Sequence, residues 1–527
     1  MKKVTISIVI TAFLTWLMYY LFLPALNLKS FGFWVFTSLI LLILTFVSAI
    51  VDNVFDPYSD SSLFTKSVSR TWGIFLLIIA VLTLASGTLF HAIAYSNLLK
   101  VEDGDVSDIP SVEKVDSLAL MDTDSAVQLG DREIGSLSEV ISQYDVGDYF
   151  QINYNDTPMK VAPLEYSGLF KYEDNKYDGI PGYISVSPTT MDSEYHEFSK
   201  PIYYSKSAFF GQDITRLIRF KYPSLMFDNL HFEIDEDGNP YYIVTVYDHT
   251  IGLFGGSKVI GAIIVDPTDG SMEYYHVDDV PKWVDCVYNG DFICDQYNYY
   301  GKLSGGFWNS IFGQKGCKSV TTADSEDSLS YSDYGYIAYD GDIWIFTGVT
   351  SVNSDSSNIG FIISDERTEE TKFVSCSGAD EFSAMNAAEG EVQDKHYVAS
   401  FPSLTLINNE PSYVMVLKDD NNLVKLYAIV NAEQYNKVTT ATTLNECINN
   451  YTELVGGTVV NDDLETKTIT VVKQQVADTK GTSWVYILDS EGNTYKAKYS
   501  DVPEIIKVSD GDKITIKTDG KTFELSE

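Results

Sequence analysis

Three uninterrupted apolar runs fill most of the first hundred residues: Val4–Leu26, Phe31–Val51 and Trp72–Tyr95. None holds an Asp, Glu, Lys or Arg, and each is long enough to cross a hydrocarbon core of roughly 30 Å as a helix. Pro24 ends the first helix, and the segment Asn27–Ser30 has room only for a tight hairpin. The one ionisable candidate at depth is His91. It sits one turn before Tyr95, where an interfacial histidine is a simpler reading than a proton relay. Small residues at Ala85, Ser86 and Gly87 suit helix packing, so the runs read as an anchor.

Orientation follows from the flanking charges. Lys2, Lys3, Lys66 and Arg70 lie on one side of the runs and only Lys29 and Lys100 on the other. Positive residues stay inside, which makes the amino terminus cytoplasmic and puts everything after residue 100 outside. A cleaved signal peptide is the other reading of the first run; its apolar stretch is too long for one, and no Ala-x-Ala-like site follows.

Beyond residue 100 the pattern changes to short alternating strands broken by turn residues. Val101–Pro110 reads as an acidic tether, and Ala126, Leu129, Ile134, Leu137, Val140 and Ile141 fall on one face of a short helix pair. Strand-favouring segments flank Asn155-Asp-Thr-Pro as a hairpin. A repeat follows: GYISVSPTTMDSEYHEF from Gly182 can be laid on GAIIVDPTDGSMEYYHV from Gly261, with a fainter echo, GFIISDERTEETKFVSC, from Gly360. Each copy is a β-branched strand, a turn and an aromatic return strand, a repeated fold unit before it is a repeated site. Helices are expected over Lys206–Phe220, Val280–Tyr299, Gly378–Val392 and Thr443–Leu454. The first of these would bury Phe209, Ile214, Leu217 and Ile218 and expose Asp213, Arg216 and Arg219.

The fold class is α+β. The expected divisions are the anchor over 1–100, tether and short helices over 101–145, helix-plus-hairpin repeats over 146–300, a further α+β region over 301–454, and a small barrel, OB-like or SH3-like, over 455–527.

Charge excludes one class of partner. The chain has 36 Lys and Arg against 74 Asp and Glu, and 30 against 71 beyond residue 100, so the head repels nucleic acid. Such a surface attracts divalent cations, although solvation alone accounts for it; no cofactor is called for. Cys286, Cys294, Cys317, Cys376 and Cys447 have no zinc spacing. On a helix over Val280–Tyr299 the first two would lie about 12 Å apart, too far to bridge, so buried free thiols are expected.

Candidate chemistry is sparse. Ser111-Val-Glu-Lys114 has the Ser-x-x-Lys spacing of penicillin-binding enzymes but none of its companion motifs. His196, His231, His249, His276 and His396 are scattered, although His196 and His276 hold similar places in the repeat. No catalytic or metal-binding set emerges. The candidate binding residues are Phe307, Trp308 and Phe312 in the glycine-rich loop 301–316, which inserts into a partner or membrane or packs internally, and Trp484 and Tyr486 in the barrel.

The segment Phe210–Asp285, with FEIDEDGNPYYIV and VIGAIIVDPTDGSMEYYHVDDVP, is similar to PepSY-type modules, though it has Pro-Thr-Asp-Gly where their hairpin shows Thr-Gly. Pro163 to Leu454, with NYYGK, GFWNSIFGQKG and EFSAMNAAEG, resembles a family of bacterial multi-pass membrane proteins with a large extracytoplasmic head. The PepSY resemblance implies a module that binds or restrains another envelope protein. The leading expectation is therefore a non-enzymatic envelope protein; a wall hydrolase with dispersed carboxylates and an accessory subunit of a transport complex are the alternatives.

Overall fold

The computed structural model describes residues 2–525 apart from 56–61, 112–117, 119, 121, 138–139, 141, 188–190, 322–333, 340, 353–356, 458–464, 480–481, 501 and 519–521. Lys114, Ile141 and the expected turn at 519–521 lie outside the described residues. The chain forms two compact units, 1–455 and 456–527.

Three long apolar helices open the first unit: α1 (Lys2–Phe22), α2 (Phe31–Phe55) and α3 (Leu63–Ala85). The third expected span is corrected at both ends. Ser62 caps α3 ten residues ahead of Trp72, its hydroxyl accepting the Thr65 N–H. Ser86 and Gly87 then end the helix, and α4 (Thr88–Ser96) starts as a separate, kinked segment. The tether is also corrected, because Val101–Gly104 is a strand lying parallel to Thr371–Ala379.

The head above these helices is built from four antiparallel meanders in chain order. Each uses four consecutive strands, starting at Phe150–Tyr154, Met226–Ile234, Gly335–Tyr339 and Ser403–Ile407. Helices punctuate them: α5 (Thr123–Ser136) precedes the first sheet and α6 (Leu169–Asn175) interrupts it. Next come α7 (Ile214–Lys221), α8 (Gly290–Leu303), α9 (Glu381–Glu391) and α10 (Leu444–Leu454), one after each sheet.

The sheets pack face to face in succession. Tyr242, Val244 and Val246 meet Ile184 and Phe198 of the first sheet, while Ile243 on the same strand meets Ile345 and Ile362 of the third. Phe346, Phe361 and Ile363 then meet Tyr413, Met415 and Ala428 of the fourth. The other face of the fourth sheet is covered by Leu118, Leu120 and Met191, the last of which also packs on the first sheet. Burial on both faces leaves strand segments such as 262–265 apolar and buried at every position, where alternation is the sequence expectation.

The repeat has a single structural cause. Gly182, Gly261 and Gly360 lie two residues before the partners of Tyr195, Tyr274 and Phe373. A Cβ at any of them would collide with the ring and with a carbonyl oxygen of the return strand. Glycine is required where an aromatic ring crosses a strand this closely. The fourth sheet escaped notice because its return strand presents Thr439 and Thr440, with no ring to accommodate.

Two expected helices are shortened. Phe210–Gln212 is a 3-10 turn and α7 begins only at Ile214, capped by Asp213. Val280–Asn289 is a linker, and α8 begins at Gly290. Cys286 therefore lies outside the helix that holds Cys294, and all five cysteines are buried and outside any disulfide.

The second unit is one five-stranded sheet, in the order Thr494–Lys498, Thr482–Asp489, Glu465–Thr479, Lys513–Thr518, Phe523–Leu525. A parallel bridge between Lys496 and Thr522 brings its two edges together around a core that includes Val471, Val485, Ile487 and Ile516.

Candidate functional site: a polar cavity between three sheets

The inner strands of the first three sheets converge on the linker that follows the second sheet, and two carboxyl groups pin that linker. Glu233, fully buried on the second sheet, accepts the amides of Asp285 (3.0 Å) and Cys286 (2.9 Å). Asp285 accepts the amide of Asn153 (2.7 Å) on the first sheet. The main-chain oxygen of Glu366, in the third sheet's outer turn, accepts the amides of Val287 (2.9 Å) and Tyr288 (2.7 Å). The linker's backbone amides are thus satisfied by a carboxyl group of the second sheet and a main-chain oxygen of the third.

Beside this junction lies a cavity of about 310 Å³, within the usual size of small-ligand sites. Asp148 and Asn229 are exposed lining residues; Tyr149, His231, Cys286 and Glu366 are buried ones; Phe150, Lys206, Leu230, Asn289 and Tyr336 complete the wall. Asn229 has a left-handed backbone (φ 48°) at a bulge between Asp228 and Leu230, a device that re-aims side chains beside sites. Lys206 stands over the Phe150 ring (5.1 Å) and 3.5 Å from Asp148.

The buried lining carries little charge. Burial pushes Glu366 well above the ordinary carboxyl range against the lowering effect of the Gly290 amide hydrogen bond, and nearby acids push the same way as burial, which favours its protonated form. Its Oε2 is buried with no hydrogen-bond partner. Asp285 and Glu233 are raised by the same desolvation, which outweighs their amide hydrogen bonds. Burial drives the His231 imidazole down to about 3. The 3.9 Å approach of its Nε2 to Glu233 is therefore no ion pair. The Cys286 thiol is raised well above its usual value and is no nucleophile. Behind Tyr336, its Nζ 5.2 Å from the ring, Lys160 is buried and lowered to about 8. What remains is a set of neutral hydrogen-bonding groups between aromatic rings.

The sequence candidates lie elsewhere. Trp308 and Phe312 are exposed and stacked on each other (5.8 Å, 11°), while Phe307 packs beside Tyr95 of α4. Trp484 and Tyr486 are half-buried on one strand of the second unit, with Lys496 and Lys498 over the Trp484 ring at 5.3 and 6.0 Å. His196 and His276 form no pair. Their registers differ by one position, His196 lying opposite Tyr183 and His276 opposite Gly261. Among the described residues no group of three or more His, Cys, Asp or Glu is placed to hold a metal. The cavity residues escaped the sequence because they come from six separate segments. The signal that does exist is an acid flanked by apolar residues at Glu233 and again at Asp285, whereas Glu366 lies in a polar turn.

No family matches the chain, and no curated protein does. Among solved structures, a mutant levansucrase of B. megaterium aligns at 11% identity over 84% of this chain and 96% of its own, with a TM-score of 0.19. An exo-beta-1,3-galactanase from Phanerochaete chrysosporium aligns at 8% identity over 65% and 75%, with a TM-score of 0.17. Likenesses this faint carry no argument about function.

Proposed function

We propose that the protein is a membrane-anchored binding protein of the bacterial cell envelope, amino terminus cytoplasmic and head outside, whose cavity takes a small uncharged polar solute. The observation that carries the reading is the raised Glu366 carboxyl, its Oε2 buried without a hydrogen-bond partner, in a cavity lined by aromatic rings and buried uncharged groups, with the exposed Asp148 paired to Lys206. The placement of Lys2, Lys3, Lys66 and Arg70 supports the orientation. A helix followed by an antiparallel sheet over Ile214–His276 supports the PepSY-like reading, and with it a role in engaging an envelope partner. The strand order of the second unit, closed by a parallel bridge, supports an OB-like barrel over an SH3-like one.

The test is calorimetric titration of the full chain in mild detergent with uncharged mono- and disaccharides and with the amino- and carboxyl-bearing analogues of each. Binding of uncharged members, kept in Glu366→Gln and lost in Glu366→Ala, is expected, because an amide replaces a protonated carboxyl as donor. Preference for charged analogues, or loss of binding in Glu366→Gln, contradicts the reading.

Hydrolysis of a wall glycan is a second reading, favoured by one observation: an exposed carboxyl, Asp148, and a proton-bearing one, Glu366, line the same cavity. Cleavage of wall polymer by the purified chain, abolished in Glu366→Gln, would move the assignment there.

A further inference from the structure

We infer that the foot of the head is itself immersed in the outer leaflet, through two aromatic projections on either side of the anchor. Which leaflet this is follows from the orientation proposed above; the cavity and its ligand play no part. It starts from the seam between head and anchor. The Leu26 amide donates to Pro223 O (2.7 Å), Lys29 pairs with Asp248 (2.5 Å), and Ser86 Oγ accepts the amides of Leu253 (2.9 Å) and Phe254 (3.2 Å). Phe254 packs edge-on against Phe31 and Trp34 of α2. These contacts hold the head against the ends of all three spans and fix which of its residues lie at the level of the bilayer surface.

One projection adjoins α1. Phe170 is 84% exposed and Phe210 54%, and both belong to segments gathered round Tyr172, which lies 6.5 Å from the Phe210 ring. Arg216 ties them to the anchor. It donates to Phe210 O and to Tyr20 O (3.4 Å), and its guanidinium lies 4.3 Å over the Tyr20 ring. The other projection adjoins α4. Trp308, 65% exposed, precedes a π-helical turn, Asn309–Gly313, that carries Phe312, 77% exposed, in a stretch, Ser304–Gln314, with no Asp, Glu, Lys or Arg. Phe307 packs with Tyr95, Ala92 and Leu303, and Tyr95 Oη donates to Ser86 O (2.8 Å) at the end of α3, which fixes that turn beside the anchor.

Four large exposed side chains in an acidic, well-solvated head are out of place in water and in place among headgroups, where aromatic residues collect. Continuity with the spans names the occupant: both projections are joined through direct contacts to residues at helix ends. Lipid is already there. A partner protein would have to displace it.

The test uses the full chain in nanodiscs, one copy per disc, with an environment-sensitive fluorophore on Phe170→Cys, Phe312→Cys or Asp237→Cys. All five native cysteines are buried, and positions 170 and 312 are so exposed that substitution leaves the core intact. Asp237 is the control. It lies at the far end of the twelve-residue strand Pro240–Ile251, roughly 35–40 Å from the anchor contacts at Gly252–Phe254. Lipids carrying a doxyl quencher near the headgroup should reduce fluorescence about threefold at 170 and 312 and leave 237 unchanged, while aqueous iodide shows the reverse order. Equal iodide quenching at all three sites would overturn the inference. So would protection at 170 and 312 without doxyl quenching, which would mean that protein covers them.

Discussion

The cavity and the foot of the head depart from ordinary burial in opposite senses. At the junction of the first three sheets, polar groups are buried: Glu233, Asp285, Glu366 and His231 sit where apolar side chains would cost nothing. At the foot, Phe170, Phe210, Trp308 and Phe312 face outward where charged residues cover the rest of an acidic surface. Folding alone favours neither arrangement. The difference between them teaches what each region meets: the first keeps protons in order to stay neutral, and the second keeps apolar surface beside helices that already lie in lipid.

The largest effect should come from loosening the seam. Arg219 was expected on the exposed side of its helix, but it is 6% exposed, donates to Leu23 O (2.9 Å) and Leu225 O (2.5 Å), and stacks over Phe227. Arg219→Ala leaves buried carbonyls without donors and should cost about 2–4 kcal/mol, read as a lowered unfolding midpoint of the full chain in detergent. An unchanged midpoint would mean that head and anchor are not seated on each other.

A substitution that touches neither region calibrates that loss. Gly261→Ala drives a Cβ into Tyr275 O and the Tyr274 ring and should cost about 1–3 kcal/mol, with cavity binding and lipid contact intact in the folded fraction. Should it cost nothing, the structural cause given to the repeat is wrong.

The cavity side makes a pH prediction. Glu381 and Glu369 are raised to about 7 by burial, and the same cause holds Asp285 and Glu366 well above their ordinary values. Such groups hold protons in the folded chain that the unfolded chain has already lost, so their contribution is full at low pH and is lost as pH rises through the folded values. His231, lowered to about 3, works in the opposite sense only between there and its usual 6.5. From pH 6.5 to 8 the acids act without it, and stability should fall by about 1–2 kcal/mol. A flat or rising midpoint over that window would show that the buried acids are ionised.

The smallest effect is expected at Glu366 itself. Glu366→Gln should cost no stability at pH 7, because an amide is neutral without taking up the proton that the unfolded carboxyl has already lost. A large loss would make the residue a structural support and remove it from the site.

The sequence made the two regions unequally legible. The anchor declares itself by the absence of charge over three long runs, although the break at Ser86–Gly87 does not, because small residues are as common inside a span as at its end. The repeated hairpins declare themselves because each needs a glycine under a ring. The linker Val280–Asn289 misled, since Trp283, Val284, Val287 and Tyr288 have helical spacing but are packed between the second and third sheets by their backbone bonds to Glu233 and Glu366. Trp308 and Phe312 stood out as aromatics without charges around them, whereas Trp484 lies under two lysines that only the cross-strand register brings near. The cavity had no local signature at all, because sheet packing assembles it from residues more than two hundred positions apart.

The central claim is that the cavity floor is neutral at physiological pH. Difference infrared spectroscopy of the full chain against Glu366→Gln at pH 7 tests it most directly. The account predicts a protonated-carboxyl C=O band that disappears in the variant; loss of carboxylate bands with no change in that region would contradict it.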